Sequence, residues 1–163
     1  MLKIKYIQDD FLTSKECKNI IQYYNDNLDN VYENLFREQH GFRLNKTYCL
    51  SLMENSPLFL QEVSNNISNI CNSLCTNIRL DNNQIVRWPV KSQMFFHQDE
   101  PGDIFATLVY LNDNYGGGQT KFKEGLIEPK VGRLAIFSNF SYLHSVTKVQ
   151  RNDRYTLAGW YTK

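Results

Sequence analysis

"FFHQDEPGD", residues 95–103, sets His97 and Asp99 two positions apart behind a pair of phenylalanines. Residues i and i+2 of an extended strand share one face, so both side chains can point the same way from a strand and its end. By itself such a pair is an ordinary polar corner. It becomes two-thirds of a metal site only if a third ligand lies downstream. His144 stands 45 positions after Asp99 (144 − 99), behind the apolar run "AIFSNFSYL". The chain has three histidines; the third, His40, has no such context and reads as a loop residue. Two His and one carboxylate are the donor set of the facial triad that holds non-haem Fe(II) and leaves three positions open.

Open positions matter only if something fills them. A 2-oxo acid can chelate through its keto oxygen and carboxylate, leaving one position for O₂. Its distal carboxylate then needs a fixed cation. Arg154 lies ten positions after His144 (154 − 144) and opens the strand-like run "RYTLAGWY". Alternation along that run puts Arg154, Thr156, Ala158 and Trp160 on one face. Arginine suits a two-point grip on a planar carboxylate better than lysine does. Arg151, in the preceding turn, is the rival anchor. Taken singly, His144 reads as a core histidine, Arg154 as a strand-end charge, and Tyr110 and Trp160 as core aromatics. His97, Asp99, His144 and Arg154 in this order, inside one β-rich region, are what point to chemistry.

The β-rich region starts near residue 81. Short apolar or alternating runs follow one another, among them "QIVRW", "IFATLVYLN", "GRLAIFS" and "LHSVTKV", with turns at Asn112-Asp-Asn, Gly116-Gly-Gly118 and Asn152-Asp153. Many short strands at regular spacing indicate a sandwich or barrel. Before them the texture is helical. Thr13-Ser-Lys-Glu16 has the form of a capping box, and Cys17, Ile20, Ile21 and Tyr24 follow at helical spacing, predicting a helix over 14–27. Ser56-Pro57 reads as an N-cap with proline at the first helical position. Leu60, Val63, Ile67, Ile70, Cys71 and Leu74 then mark a second helix over about 57–76. "KTYCLSLM" reads as a strand. Residues 31–45, "VYENLFREQHGFRLN", show no clean period and read as a mobile loop able to close over a substrate. The expectation is one α+β, mainly β domain over 1–163, with a helical part over about 1–80 and a β core over about 81–163.

The 163 residues suffice for a sizeable core, and 42% hydrophobic with 21% charged residues is ordinary for a globular chain. Aromatics reach 13%, which suits β-structure and a lined pocket. A net charge of +1 favours neither nucleic acid nor an anionic membrane as partner. "MLKIKYIQDDFLTSKE" has no long apolar stretch and no run approaches a membrane span, so a cytoplasmic location is expected. Cys17, Cys49, Cys71 and Cys75 lack tight Cys-x-x-Cys spacing and read as core thiols.

Residues 85–163 resemble the prolyl 4-hydroxylase branch of the Fe(II)/2-oxoglutarate dioxygenases. The matching pieces are "IVRWP", "HQD", "TLVYLND", "GGGQTKF", "PKVGRLAIF", "LHSVTKV" and "RYTLAGWY", and "IKYIQDDFLTSKECKNII" resembles that family's opening strand and helix. The resemblance implies a double-stranded β-helix, or jelly roll, supported by two N-terminal helices. It implies His97, Asp99 and His144 as iron ligands and Arg154 as the 2-oxoglutarate anchor, helped by Tyr110, Thr156 and Trp160. It implies Fe(II), 2-oxoglutarate and O₂, with ascorbate as a further reductant, and hydroxylation of proline in a peptide or protein substrate. Phe95, Phe96, Phe105 and Trp160 are then candidates for an apolar wall. Two positions depart from the pattern. Trp88 stands where the family often has tyrosine, and Gln119 stands where it has glutamate, a change expected to bear on substrate choice.

Other readings of the same residues remain open at this point. A free amino acid or other small substrate fits the same chemistry. A nucleobase dealkylase would typically carry a further arginine six positions after the anchor, where this chain has Trp160. A non-enzymatic jelly-roll binding module predicts a broken triad, and a zinc hydrolase gives Arg154 no role. Sequence does not set the oligomeric state.

Overall fold

Thr13 opens the first helix through the reciprocal bonds that the capping box promises. The Glu16 N–H donates to Thr13 Oγ1 (3.2 Å), and the Thr13 N–H donates to Glu16 Oε2 (2.7 Å). Helix α1 spans Ser14–Asp26 and buries Cys17, Ile20 and Tyr24. Helix α2 spans Leu58–Leu74 and buries Leu60, Val63, Ile67 and Cys71. Its N-cap is Pro57, one residue later than the expected Ser56, and no side chain caps it. The computed structural model describes residues 5–37, 44–52, 55–139 and 141–163. His40 and Phe42 lie outside the described residues.

Strands are numbered in chain order: β1 Lys5–Gln8, β2 Tyr32–Arg37, β3 Leu44–Ser51, β4 Arg79–Trp88, β5 Met94–His97, β6 Phe105–Tyr110, β7 Thr120–Phe122, β8 Gly125–Ile127, β9 Leu134–Ser138, β10 His144–Val146 and β11 Arg154–Thr162. They form two antiparallel sheets. The larger has the order β1-β9-β6-β11-β4-β3-β2 and the smaller β5-β10-β7-β8. This is the expected jelly roll with two supporting helices. The segment before residue 80 also supplies three strands to the larger sheet.

The larger sheet is apolar on both faces. Ile85, Val109, Leu134, Ile136 and Leu157 face outward into one cluster with Cys17, Ile20, Leu60 and Ile67 of the helices. Their neighbours Val86, Leu108, Tyr110, Ala135, Phe137 and Ala158 face inward, with Phe122, Ile127 and Val146 of the smaller sheet. Strands covered on both faces read as continuous apolar runs instead of alternating ones, which is why "FATLVY" and "LAIFS" show no alternation. The four cysteines are free thiols, and three of them are buried. Burial pushes Cys17 up to about 11 and Cys71 up to about 12. No helix among the described residues is long and apolar enough to cross a membrane.

The described part of residues 31–45 corrects the sequence reading. Tyr32–Arg37 is a strand, paired residue by residue with Leu44–Cys49. The Tyr32 hydroxyl donates to Gln84 Oε1 at 2.6 Å, and Lys46 pairs with Glu33 at 3.1 Å. The segment escapes pattern recognition because β2 is an edge strand whose side chains are mostly exposed, so burial imposes no apolar period on it.

Two stability predictions follow from this packing. Ile85 is fully buried between β3 and β11. Ile85→Ala should lower unfolding free energy by about 2–5 kcal/mol in urea titration, with an unchanged far-ultraviolet spectrum. Asp9 sits in a two-point ion pair with Arg133 (2.6 and 3.2 Å) and a contact to Lys130 (3.0 Å). These cations hold its carboxyl down at about 2 against an ordinary 3.8, the Arg133 hydrogen bond contributing most. A depressed folded-state value means stability that is present above 3.8 and lost as pH falls through about 2. The stability gap between the parent and Asp9→Asn, read by thermal melts across that window, should therefore close on acidification.

Candidate metal and oxo-acid site

His97 closes β5 and His144 opens β10, and the two are directly paired across the smaller sheet. Their ring centroids are 4.3 Å apart. Asp99 follows in the loop after β5. Its Oδ1 lies 3.4 Å from His97 Nε2 and 3.7 Å from His144 Nε2. One donor atom from each of the three residues falls within 4.8 Å of the others. His97 Nδ1 is 2.8 Å from the Phe95 carbonyl and His144 Nδ1 is 3.5 Å from the Tyr142 carbonyl. A ring that donates from Nδ1 keeps the Nε2 lone pair free, and both Nε2 atoms face Asp99.

Electrostatics hold His144 and Asp99 close to their ligand forms. Burial pulls the His144 imidazole down to about 4. Burial alone would raise Asp99, but the His97 hydrogen bond, the two imidazoles and the Trp160 indole hold it below the usual carboxylate range. For His97, burial is outweighed by Asp99 and the Phe95 carbonyl, and the imidazole titrates above its ordinary value.

The pairing of β10 with β5 contains an irregularity. His144 pairs with His97, but Val146, two residues on, pairs with Met94, three residues back. One extra residue in β5 makes a bulge, which re-aims side chains. Met94 and His97 both line the cavity, whereas Phe95 and Phe96 are exposed at 46% and 38%. Phe105 packs under the helices. Of the four aromatic residues expected to form the apolar wall, only Trp160 lines the cavity. The wall is built by Val86, Trp88, Met94, Leu108, Phe137 and Val146.

That cavity has a volume of about 770 Å³ and lies between the sheets, with the three donors and Arg154 in its lining. Arg154 is the only Lys or Arg among the described lining residues. It is 1% exposed, yet among the described residues its Nε and Nη1 have no hydrogen-bond partner, and neither does the buried Thr156 Oγ1. Its guanidinium carbon lies 5.1 Å from the Trp88 ring centroid and 5.5 Å from that of Tyr110. With both rings on its flanks, the guanidinium has its unpartnered edge left for a ligand. Buried donors of this kind are costly unless satisfied, and a carboxylate satisfies them. Arg151 is exposed with φ 66°.

The remaining candidates sort as follows. Thr156, Ala158 and Trp160 line the cavity with Arg154. Tyr110 sits one layer back. Its hydroxyl bonds Thr120 Oγ1 at 2.8 Å, and Thr120 is the residue that reaches the cavity. Thr120 was not singled out from sequence, although its place at the start of a strand after three glycines was visible. Trp88 replaces a hydroxyl with a ring on the anchor. Gln119 does not line the cavity; its amide bonds Thr147 Oγ1 (2.8 Å) and faces Glu128 (3.3 Å). Its bonds tie the start of β7 to its neighbours. Asp81, Glu100 and Asp103 line the cavity, and burial with the charges of Asp99, Asp81 and Glu100 pushes Asp103 up to about 6.

Residues 68–162, more than half of the chain, match the model of the 2OG-Fe(II) oxygenase superfamily. The chain belongs to that family, whose chemistry uses Fe(II), 2-oxoglutarate and O₂. The matched stretch contains all three donors and Arg154, and an N,N,O donor set beside an unsatisfied guanidinium fits both groups. Solved structures share the fold. A Pseudomonas putida prolyl-4-hydroxylase superposes with a TM-score of 0.77 at 16% identity, over 98% of this chain and 92% of that one. A Trichoplax adhaerens prolyl hydroxylase in complex with a hypoxia inducible factor peptide fragment gives 0.76 at 17%, over 97% and 83%. The viral collagen prolyl hydroxylase of Paramecium Bursaria Chlorella virus-1, in its 2OG complex, gives 0.68 at 18%, over 97% and 94%. No curated protein sequence matches the chain significantly.

Gly118 tests the anchor geometry. It has φ +63°, and a Cβ there would lie 2.7 Å from the Tyr115 ring and 3.0 Å from Arg154 Cδ. Gly118→Ala should cost about 1–3 kcal/mol of stability through backbone strain. It should also weaken 2-oxoglutarate binding, read by calorimetry, while metal affinity is retained.

Proposed function

We propose that this protein is an Fe(II)- and 2-oxoglutarate-dependent hydroxylase acting on proline in a peptide or protein. The observation that carries the reading is the His97–Asp99–His144 cluster sharing one cavity with an arginine whose buried Nε and Nη1 lack partners among the described residues. When bound, Fe(II) and 2-oxoglutarate supply the oxidative activation of O₂ that puts one oxygen atom into a C–H bond, with succinate and CO₂ released. Ascorbate belongs to the same reading as a reductant that keeps the metal ferrous. The helices and both sheets act as one catalytic domain.

The chain's own residues do the positioning. His97, Asp99 and His144 would hold the metal through their Nε2 atoms and carboxylate. Arg154 would pair with the distal carboxylate of the oxo acid, with the Thr156 hydroxyl and the Tyr110–Thr120 pair in support. Val86, Met94, Phe137 and Val146 exclude water from the reacting atoms. The three prolyl hydroxylases of like fold support proline as the target. The acidic lining from Asp81, Glu100 and Asp103 favours a second reading, the same chemistry on a free amino acid, whose ammonium group those carboxylates would meet.

The test is succinate formation with Fe(II) and 2-oxoglutarate, followed by a panel of proline-containing peptides and free amino acids read by mass for one added oxygen. Product from a peptide supports the first reading, and product from free amino acids alone supports the second. Asp99→Ala should abolish turnover and metal retention while the fold survives. Arg154→Ala should cost about 2–5 kcal/mol in 2-oxoglutarate binding, seen as a steep rise in KM, with metal affinity nearly unchanged. Metal-independent turnover, or an Asp99→Ala variant that keeps full activity, would refute the assignment.

A further inference from the structure

Two asparagines make the same clamp at two places. Asn139, the residue after β9, is 1% exposed. Its Oδ1 accepts the Asp99 N–H (2.8 Å) and its Nδ2 donates to the Glu100 carbonyl (3.0 Å). Its own N–H donates to the Ile104 carbonyl (3.1 Å), and its carbonyl accepts from Gln98 Nε2 (3.4 Å). Asn112, two residues after β6, accepts the Tyr155 N–H on Oδ1 (2.8 Å) and donates from Nδ2 to the Asp153 carbonyl (2.9 Å). Reversing either amide would set donor against donor and acceptor against acceptor, so the backbone partners fix both orientations.

The residues gripped are the ones that matter. Asn139 holds the backbone on both sides of the Asp99 carbonyl, in a loop with no strand pairing of its own. Asn112 grips the residues on either side of Arg154, where β11 begins. A side-chain amide that pairs with one N–H and one C=O takes the place of a strand neighbour. It fixes the direction in which the intervening Cα–Cβ bond leaves the chain. For Asp99 that direction decides whether the carboxylate meets the two Nε2 atoms. For Arg154 it decides whether the guanidinium edge faces the cavity.

We propose that Asn139 and Asn112 are positioning residues, Asn139 for the metal ligand Asp99 and Asn112 for the anchor Arg154. The inference rests on the reading of the site given above. It predicts a split between two affinities that general loosening of the fold would not produce. Groups that orient a metal ligand are typically worth about 10–100-fold in metal affinity.

The experiment titrates the full chain with Co(II), followed by visible absorption, and then titrates the Co(II)-saturated protein with 2-oxoglutarate by calorimetry. Asn139→Ala is expected to weaken Co(II) by about 10–100-fold with a small change in 2-oxoglutarate affinity. Asn112→Ala is expected to leave Co(II) binding near the parent value and weaken 2-oxoglutarate by about tenfold, as for loss of buried hydrogen bonds. Circular dichroism checks that each variant is folded, and if an alanine variant is not, the serine variant at that position is measured in the same way. Equal losses of both affinities, or a folded Asn139 variant that binds Co(II) like the parent, would overturn the proposal. A parent chain that binds no Co(II) would instead overturn the metal-site reading, and the clamp with it.

Discussion

Every residue of β6 and of β9 is buried. Two strands buried on both sides cannot stand at a surface, so the larger sheet must be covered twice. The helices cover its outer face through Cys17, Ile20, Leu60 and Ile67. The inner face meets the smaller sheet, and there the covering is incomplete, leaving the cavity of about 770 Å³. The site therefore occupies the gap between two layers that the core requires for other reasons. The strand ends and loops around the gap are free to carry polar groups, and the donors and Arg154 occupy those places.

Charge is arranged along this gap in a consistent order. A guanidinium with no carboxylate partner among the described residues lies in its wall. An aspartate held below the usual carboxylate range by two imidazoles shares the lining with the acids Glu100 and Asp103. An unpaired buried cation and a preformed anionic donor set are each unfavourable alone. A dianionic oxo acid and a divalent cation would relieve both at once. Trp88 and Tyr110 flank the guanidinium and confine binding to its edge. The departure from tyrosine at position 88 thus removes a hydroxyl but keeps an aromatic plate on the anchor.

Much of this was legible before any coordinates. The capping box at Thr13 and the helical periods placed α1 and α2 to within two residues at each end. The order His97, Asp99, His144, Arg154 was readable because donor chemistry is a property of residue type. The face shared by Arg154, Thr156, Ala158 and Trp160 followed from simple alternation in a long regular strand. The apolar wall was misplaced at Phe95 because a bulge inserts one residue in β5, and a bulge depends on the partner strand. Apolar periodicity was silent at Tyr32–Arg37 because an edge strand with exposed faces carries no apolar signal. Asn112 looked like a turn residue, which is how isolated asparagines usually behave, and Asn139 carried no signal within its apolar run.

The sequence by itself determined the donor types, their order, the two helices and the apolar runs that must be buried, because these depend on side-chain chemistry and local period. Only the tertiary structure decided which side chains face the cavity around the bulge and that Gln119 serves the scaffold. It also decided that Trp88 lies on Arg154 and that two asparagines brace the loops bearing Asp99 and Arg154. Each of these depends on backbone brought together from segments that lie far apart in the chain, such as Asn139 with Asp99 or Asn112 with Tyr155. No local pattern encodes such a meeting, since the same short motifs would read identically in any register of the sheets.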